Sequence, residues 1–312
     1  MRLLLLGLSL GLLQLASGCD GCSCGGAPRS EGSHPYLRCA ALEVPEGQRA
    51  VGGCEIRIED AAAALDCEGE SVIAIFQGPG SAPIGDALDP LAQAARAAFV
   101  LGSLGDDAEQ MARTLGALGE AGLPIFVLAG GADEAEALDE ALSELGGDAA
   151  EAVIDARALR RISIGAIDLI PLSGAPGGRY SRTDGCCGYG PQELEALEDS
   201  LQAGRPTYLL SWAAPAGWPI SLGMGDVDAG DPLLGAWARE RGIQGGVFAW
   251  PRGRAGDVLD GDSPALAGRA SAALMALAPR LAGAPLRRAD GSMWMPAILR
   301  LDVGPEGLAL AP

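Results

Sequence analysis

The sequence predicts an α/β fold with one substantial core. From Ser71 onward, short apolar runs alternate with stretches rich in Ala, Leu and Glu, the pattern of a layered domain in which strands alternate with helices. The 312 residues can bury one such core together with a small Cys-rich segment before it. The sequence contains no internal repeat.

The elements follow in order along the chain. The predicted strands cover 72–76, 97–101, 124–128, 162–170, 207–211, 245–249 and 296–302. The predicted helices cover 87–96, 107–121, 134–145, 191–202, 232–241 and 264–281. Ahead of them, the alternation over 55–59 predicts an edge strand. Asp106 and Asp107 predict an N-cap and a first-turn acid, and Asp231 followed by Pro232 predicts a second helix start.

The N-terminal residues 1–18 predict a signal peptide, because their leucine-rich run is too short for a permanent membrane helix and ends in small residues. The end of this run, Ala16-Ser17-Gly18-Cys19, resembles the bacterial lipobox, although Ala16 stands where Leu is usual. Ordinary signal peptidase could also use Ala16 and Gly18, but a Cys at this position favours lipidation of Cys19. Several acyl chains would hold the protein on a membrane.

The remaining chain divides at residues 36 and 37. Residues 19–36 are rich in Gly, Ser, Pro and Cys and predict a tether, which also contains His34. Residues 37–312 predict one domain, with a Cys-rich lead segment over 37–69. We therefore expect an exported, membrane-anchored lipoprotein of the bacterial cell envelope; which membrane carries it stays open.

Cysteine usage agrees with export. After Cys19 the cysteines are Cys22, Cys24, Cys39, Cys54, Cys67, Cys186 and Cys187. In an oxidising compartment they predict disulfides, with each of the vicinal pair bonded to a separate cysteine. Lipidation of Cys19 would leave an odd number, so one thiol would stay free or pair between molecules. A zinc site is less favoured, since Cys22-x-Cys24 is narrower than zinc spacing.

The charge excludes some partners. The net charge is -19 with a pI near 4.4, and every basic residue is Arg. This acidity argues against nucleic acid and against electrostatic docking on anionic lipid. It leaves a protein or glycan partner open.

Five short blocks, in the right order over residues 71–256, carry a resemblance to a known family. The blocks are Gln77-Gly78-Pro79-Gly80, Gly102-Ser103, Gly130-Gly131-Ala132-Asp133, Ser211-Trp212-Ala213-Ala214-Pro215 and Ala249-Trp250-Pro251-Arg252. Each follows or closes a predicted strand. Together they resemble the D-x-H-G, G-D, G-N-H-D/E, S-H-A/T-P-P and G-H-x-H blocks of calcineurin-like metallophosphoesterases. The resemblance implies a four-layer αββα sandwich with two mixed β-sheets.

The same resemblance implies that the dinuclear metal site is lost. The degenerate ligand positions are Gln77, Pro79, Ser103, Gly131, Ala132, Trp212, Trp250 and Arg252. None of these side chains offers the carboxylate or imidazole that such a site needs, and Arg252 brings positive charge where a cation would sit. Ala132 falls at the position of the catalytic His. We therefore expect a pseudoenzyme with no catalytic residues, no metal and no cofactor.

Two interpretations of the emptied site stay open. Trp212 and Trp250 can fill the former metal cavity, which explains both substitutions without a ligand and is the favoured interpretation. Alternatively, Gln77, Trp212, Trp250 and Arg252 form a ligand cleft suited to a glycan or a cell-wall fragment. A purely structural surface protein is a further alternative.

A hydrolase with a relocated or single metal is the alternative from another class. Its ligands would be Asp106, Asp133 and the loop of Asp226 and Asp228. Aspartates at helix starts and in Gly-rich loops commonly bind backbone N–H groups, so they need no catalytic role. Gly78-x-Gly80 is too weak a pattern to predict a phosphate-binding loop.

Overall fold

A computed structural model describes most of the predicted domain. The described residues are 46–69, 71–80, 82, 84, 88, 91, 95–176, 187–222, 227–243, 245–250, 274–281, 286–287, 293–294 and 298–311. The signal peptide, the tether and Cys19 lie outside these residues and stay predictions. Among the described residues, no helix is long and apolar enough to cross a membrane.

The elements are as follows. The strands are β1 (Gly47–Val51), β2 (Cys54–Glu59), β3 (Ala62–Cys67), β4 (Val72–Phe76), β5 (Ala97–Leu101), β6 (Ile125–Leu128), β7 (Val153–Asp155), β8 (Arg161–Ile164), β9 (Ile167–Leu172), β10 (Ala175–Pro176), β11 (Gly188–Tyr189), β12 (Thr207–Ala213), β13 (Gly245–Trp250), β14 (Met275–Leu277), β15 (Leu286–Arg287), β16 (Met293–Trp294), β17 (Leu299–Gly304) and β18 (Gly307–Leu310). The α-helices are α1 (Ala108–Gly119), α2 (Ala135–Ser143), α3 (Gly147–Ala152), α4 (Pro191–Glu198) and α5 (Pro232–Glu240). Short 3-10 helices cover Ala156–Ala158 and Pro219–Ser221.

Two mixed sheets contain most of these strands. The first, here the large sheet, has the order β1-β2-β3-β8-β9-β12-β13-β14, and β9, β12, β13 and β14 run parallel. The second, here the small sheet, has the order β18-β17-β4-β5-β6-β7, and β4 to β7 run parallel. Antiparallel strands form one edge of each sheet: β1 to β3 in the large sheet, and β17 and β18 in the small sheet.

The layers follow from which face each side chain takes. In β5, Phe99 and Leu101 enter a core shared with the large sheet, whereas Ala98 and Val100 enter a second core with α1 and α2. A third core joins the large sheet to α4 and α5. Because alternate residues of a strand point to opposite faces, the central parallel strands must be apolar on both. The protein is thus an αββα sandwich of two mixed sheets.

Most predicted elements are confirmed, with helix ends one to four residues shorter than predicted. The strands at 72–76 and 97–101 have the predicted bounds. Asp107 is the N-cap of α1 and its Oδ1 accepts from the Gln110 N–H at 2.8 Å, but the acid in the first turn is Glu109 rather than either predicted aspartate. Asp231 caps α5, with Pro232 as its first residue. Of the predicted helix 87–96, only residues 88, 91, 95 and 96 are described.

Three predictions are wrong. The single strand 162–170 is a hairpin, β8 and β9, which turns at Gly165 with φ 53°. The described end of the helix predicted over 264–281 contains strand β14, because parallel pairing beside β13 overrides the helical propensity of an Ala- and Leu-rich run. The strand at 55–59 is not at an edge, since β1 covers it.

The prediction of disulfides, which named no pairs, is confirmed for one bond. Cys54 and Cys67 are bonded across the paired strands β2 and β3. Cys187 is buried in the core beneath the small sheet, and Cys186 lies outside the described residues. The tether cysteines and Cys39 also lie outside them, so their pairing stays a prediction.

Candidate functional site

The described parts of the five sequence blocks meet at one end of the sandwich. Gln77 follows β4, Gly102 follows β5, and the loop from Ala129 to Asp133 follows β6. Trp212 lies near the end of β12 in the facing sheet, and Trp250 ends β13. The carboxyl ends of parallel strands are where open α/β sheets usually bind ligands. This end of the sandwich is therefore the candidate site.

Gln77 joins the two sheets through its side-chain amide. Its Nε2 donates to the Ala249 carbonyl at 3.0 Å and to the Ala278 carbonyl at 2.7 Å. Ala249 lies near the end of β13, and Ala278 directly follows β14, both in the large sheet. The residue is 5% exposed. An amide NH₂ has two donors and a carboxylate has none, so only the amide can bind both carbonyls in this way. Both donors of Gln77 are therefore used within the protein.

The backbone of Gln77 adds to this connection. Its N–H donates to the Pro279 carbonyl at 2.7 Å, and its own carbonyl accepts from the Leu281 N–H at 2.9 Å. The segment around Arg280 thus runs beside Gln77 as a short parallel bridge. Gln77 is consequently fixed by four hydrogen bonds, three to the segment from Ala278 to Leu281 and one to Ala249 near the end of β13.

Asp133 holds two strand-end loops together. Its Oδ2 accepts from the N–H groups of Ser103 and Gly130, and its Oδ1 accepts from the Leu104 N–H, each at 2.8 Å. Burial raises the pKa of Asp133 above its usual value, and these three hydrogen bonds and Arg157 offset only part of that effect. The carboxylate is fully buried and already has backbone donors on both oxygens.

Ser103 adopts a conformation that side chains rarely take. Its φ is 61°, in the left-handed region, and its Oγ is buried without a hydrogen-bond partner among the described residues. Its backbone is nevertheless fully used, since its N–H donates to Asp133 and its carbonyl accepts from the Gly80 N–H at 2.6 Å. The loop geometry, rather than the hydroxyl, thus determines how Ser103 is held.

Close backbone contacts leave little room between these loops. A Cβ on Gly78 would lie 2.5 Å from the Ser103 carbonyl oxygen, and one on Gly102 would lie 2.5 Å from the backbone of Gly130. On its other side Gly130 meets Trp212, whose Cδ1 would lie 2.5 Å from an added Cβ. The Trp212 side chain is 7% exposed and belongs to the core between the sheets. This ring therefore fills space beside the loop after β6.

The other predicted positions are spread around this cluster. Pro79 and Gly131 are buried, and Ala132 is half-buried. Trp250 is described only through its backbone, which pairs with Ala213. Arg252 lies outside the described residues. The structure thus brings Gln77, Ser103, Gly131 and Trp212 to one end of the sandwich, and the ligand cleft stays a prediction.

The carboxylates of the alternative metal site do not come together as a cluster. Asp106 is exposed at the start of α1. Asp228 accepts from the N–H groups of Gly217 and Gly230 at 2.7 and 2.9 Å, and Asp226 lies outside the described residues. Within the described ranges, no group of three or more His, Cys, Asp or Glu side chains is placed to hold a metal ion.

Sequence reasoning missed one charged residue near the site. Arg157 is fully buried, and its guanidinium donates to both oxygens of Asp155 and to Asp139. Burial opposes its charge, but these two carboxylates outweigh burial and raise the pKa of Arg157 above its usual value. The nearby acids at positions 139 and 155 were the available signal, but their spacing in sequence does not identify a buried pair.

Comparison with known proteins identifies no family. No protein-family model matches the chain, and no curated protein matches its sequence. Seven chains of solved structures resemble it in three dimensions, among them the following two. One is TT1561 of Thermus thermophilus, with 13% identity and a TM-score of 0.41 over 58% of this chain and 82% of that protein. The other has 12% identity and a TM-score of 0.41 over 58% of this chain and 84% of its own length.

Proposed function

We propose that this chain is a non-catalytic, metallophosphoesterase-like protein that acts in binding or scaffolding at the surface of the bacterial envelope. The observation that carries the proposal is the amide of Gln77. In a dinuclear metallophosphoesterase, ligands at strand ends hold cations between the two sheets. Here an uncharged donor binds backbone carbonyls of the facing sheet directly.

The neighbouring residues support the same proposal. Asp133 is the carboxylate within the loop after β6, and its oxygens accept backbone N–H groups. Trp212 is buried against Gly130, which favours the cavity-filling interpretation of this ring over an open stacking platform. A hydrolase at this site would have to bind its metal through a fully buried carboxylate that already accepts three backbone N–H groups.

The envelope location rests on residues 1–36 alone. Lipidation of Cys19 would anchor the domain through the predicted tether and leave it free to meet a protein or glycan partner. Mass spectrometry of the mature N-terminus tests this part: a diacylglyceryl-modified Cys19 supports the anchor. A mature chain that starts elsewhere, or Cys19→Ala protein that remains in the membrane fraction, contradicts it.

Thermal unfolding of the full-length protein tests the loss of the metal site. The protein is stripped with a chelator and melted with and without Mn²⁺, Fe²⁺ or Zn²⁺, and hydrolysis of a phosphodiester is measured under the same conditions. An ion present at 100 times its Kd would stabilise the fold by about 2.7 kcal/mol, which is a shift of several degrees. We expect no such shift and no hydrolysis above background. A metal-dependent shift together with turnover would refute the proposal.

A further inference from the structure

A concave surface lies on the outer face of the large sheet, and none of the residues of the strand-end site lines it. It is a trough of about 420 Å³ that crosses β2, β3 and β8. Within the part of the chain that the structure describes, the helices α4 and α5 cover this face further along the sheet, over β9, β12 and β13. The end of α4, at Asp199 and Ser200, forms one wall of the trough.

The trough exists because the middle strand carries small side chains. In the register of the sheet, Ala64 on β3 lies between Arg57 on β2 and Ser163 on β8. Two residues earlier on β3, Ala62 lies between Glu59 on β2 and Arg161 on β8. Alternate residues of a strand share a face, so both rows lie on the same side of the sheet. Two alanines thus form the floor, and longer polar side chains form the walls.

The walls carry charge of both signs. The ionisable lining residues are Arg57, Arg160, Arg161, Glu59, Asp60 and Asp199, so the formal charge of the lining is zero. Glu59 lies on β2 and Arg161 on β8, and β3 runs between these strands, so the two backbones are roughly 10 Å apart. Glu59 and Arg161 therefore stand on opposite walls of the trough, with Ala62 between them.

Several of these groups have unused capacity. Within the described residues, the side chains of Arg57, Glu59 and Asp199 make no hydrogen bond or ion pair. Arg161 donates from Nη1 to the Ser200 carbonyl at 3.4 Å, while its Nε is buried without a partner. Arg57, Glu59 and Asp199 are exposed, so their charged groups are free to contact a ligand that enters the trough.

The turn at the end of the trough is also strained. Asp60 and Ala61 connect β2 to β3 and have φ values of 48° and 60°, where two-residue hairpins usually place Asn and Gly. The Ala61 carbonyl accepts from the Arg160 N–H at 2.8 Å, which fixes the turn against the start of β8. Asp60 thus lies at the rim of the trough, in a turn that is hydrogen-bonded to the start of β8.

We propose that this trough binds a small zwitterion, an α-amino acid or the end of a short peptide. A carboxylate fits the donors of Arg57 and Arg161, since guanidinium groups bind carboxylates through paired hydrogen bonds. The ammonium group fits Glu59, which faces Arg161 across Ala62, and Asp60 in the adjoining turn. A simple anion would face these acids and a protein of net charge -19, whereas a neutral zwitterion would not.

Isothermal titration of the full-length protein tests the site. The probes are the twenty standard L-amino acids, each alone, and L-alanyl-L-alanine. At least one is expected to bind with saturable heat, and the N-acetyl and C-terminal amide derivatives of the best probe are each expected to bind at least tenfold more weakly. If none of the probes binds, the proposal is overturned. Equal binding of the N-acetyl derivative, or of inorganic phosphate, would overturn it in favour of a simple anion site.

Variants locate the binding to the trough. Arg57→Gln, Arg161→Gln and Glu59→Gln should each weaken the best probe by about 10- to 100-fold, because each removes a charged hydrogen-bond partner. The matched control is Arg113→Gln, an exposed arginine on α1 whose contact is with Glu109 on the same helix. Arg57 and Glu59 are exposed, so their variants should fold as the parent does. Unchanged affinity in all three trough variants would refute the assignment.

Discussion

Replacing Gln77 by Leu should destabilise the fold through its carbonyl partners. The substitution removes two side-chain hydrogen bonds, to Ala249 and Ala278, at a position that is 5% exposed. A buried acceptor that loses its partner costs about 1–3 kcal/mol, so two of them give a loss of about 2–6 kcal/mol. This is a large part of the stability of an ordinary domain.

A carboxylate at position 77 should also destabilise the fold at neutral pH, and more strongly than leucine does. Gln77→Glu would place negative charge against two carbonyl oxygens, and burial would raise the pKa of the introduced group above its unfolded value of about 4.3. An acid with a raised folded pKa costs most when ionised. The variant should therefore be most stable below about pH 4.3, relative to the parent, and lose stability as the pH rises toward the folded pKa.

Urea unfolding, followed by circular dichroism between pH 4 and pH 8, measures both effects. Gln48→Leu is the matched control, since Gln48 is exposed on β1, and it should stay within about 0.5 kcal/mol of the parent. If the free energy of unfolding of Gln77→Leu also changed by no more than about 0.5 kcal/mol, the proposed role of the two Gln77 hydrogen bonds would be refuted. So would a Gln77→Glu protein that is as stable as the parent at neutral pH and gains stability from Mn²⁺.

Three further predictions concern Ser103 and Asp133 at the strand-end site and the disulfide between β2 and β3. Ser103→Gly should stabilise the fold by about 1–3 kcal/mol in urea unfolding, because it relieves left-handed backbone strain and removes a buried hydroxyl without a partner, less the chain entropy of glycine; destabilisation would show that the hydroxyl has a role. Asp133→Asn should cost about 1–3 kcal/mol, since an amide NH₂ would face a backbone donor such as the Leu104 N–H; a neutral effect would contradict the three-bond geometry. Loss of the Cys54–Cys67 bond in a Cys→Ala double variant should cost about 2–4 kcal/mol, measured against the parent under oxidising conditions, and an equal loss in reduced parent confirms the cause.

The central parallel strands could be predicted to the residue, because strands buried on both faces appear as uninterrupted apolar runs. Ile73 to Phe76 and Ala97 to Leu101 show this directly. The hairpin of β8 and β9 could not be separated in the same way, since Gly165 and Ala166 interrupt the apolar run only briefly. Strand β14 was missed because its pairing with β13, not its composition, determines its conformation.

The site could be located but not understood from sequence. The positions of Gln77 and Trp212 follow from the order of the strand-end blocks. Their contacts do not, because the partners of the Gln77 amide are carbonyls 172 and 201 residues away. Asp133 likewise acts on loop residues 29 and 30 positions earlier, so its treatment as a local cap missed its main contacts.

The trough on the large sheet had no sequence signal at all. Its lining comes from three strands and the end of a helix, and only the register shows that Ala62 and Ala64 separate charged neighbours. A run such as Glu55 to Glu59 looks like an ordinary exposed strand face. Composition therefore identified the acidity of the protein but not the place where arginines gather.

Elemental analysis of the purified full-length protein tests the central claim most directly. The protein is incubated with Mn²⁺, Fe²⁺ and Zn²⁺, freed of unbound metal, and assayed for each element per mole of chain. We predict retention of less than about a tenth of an equivalent, because Gln77 and Asp133 already bind backbone groups. Retention of about one or two equivalents that Asp133→Asn abolishes would contradict the claim and identify a working metal site.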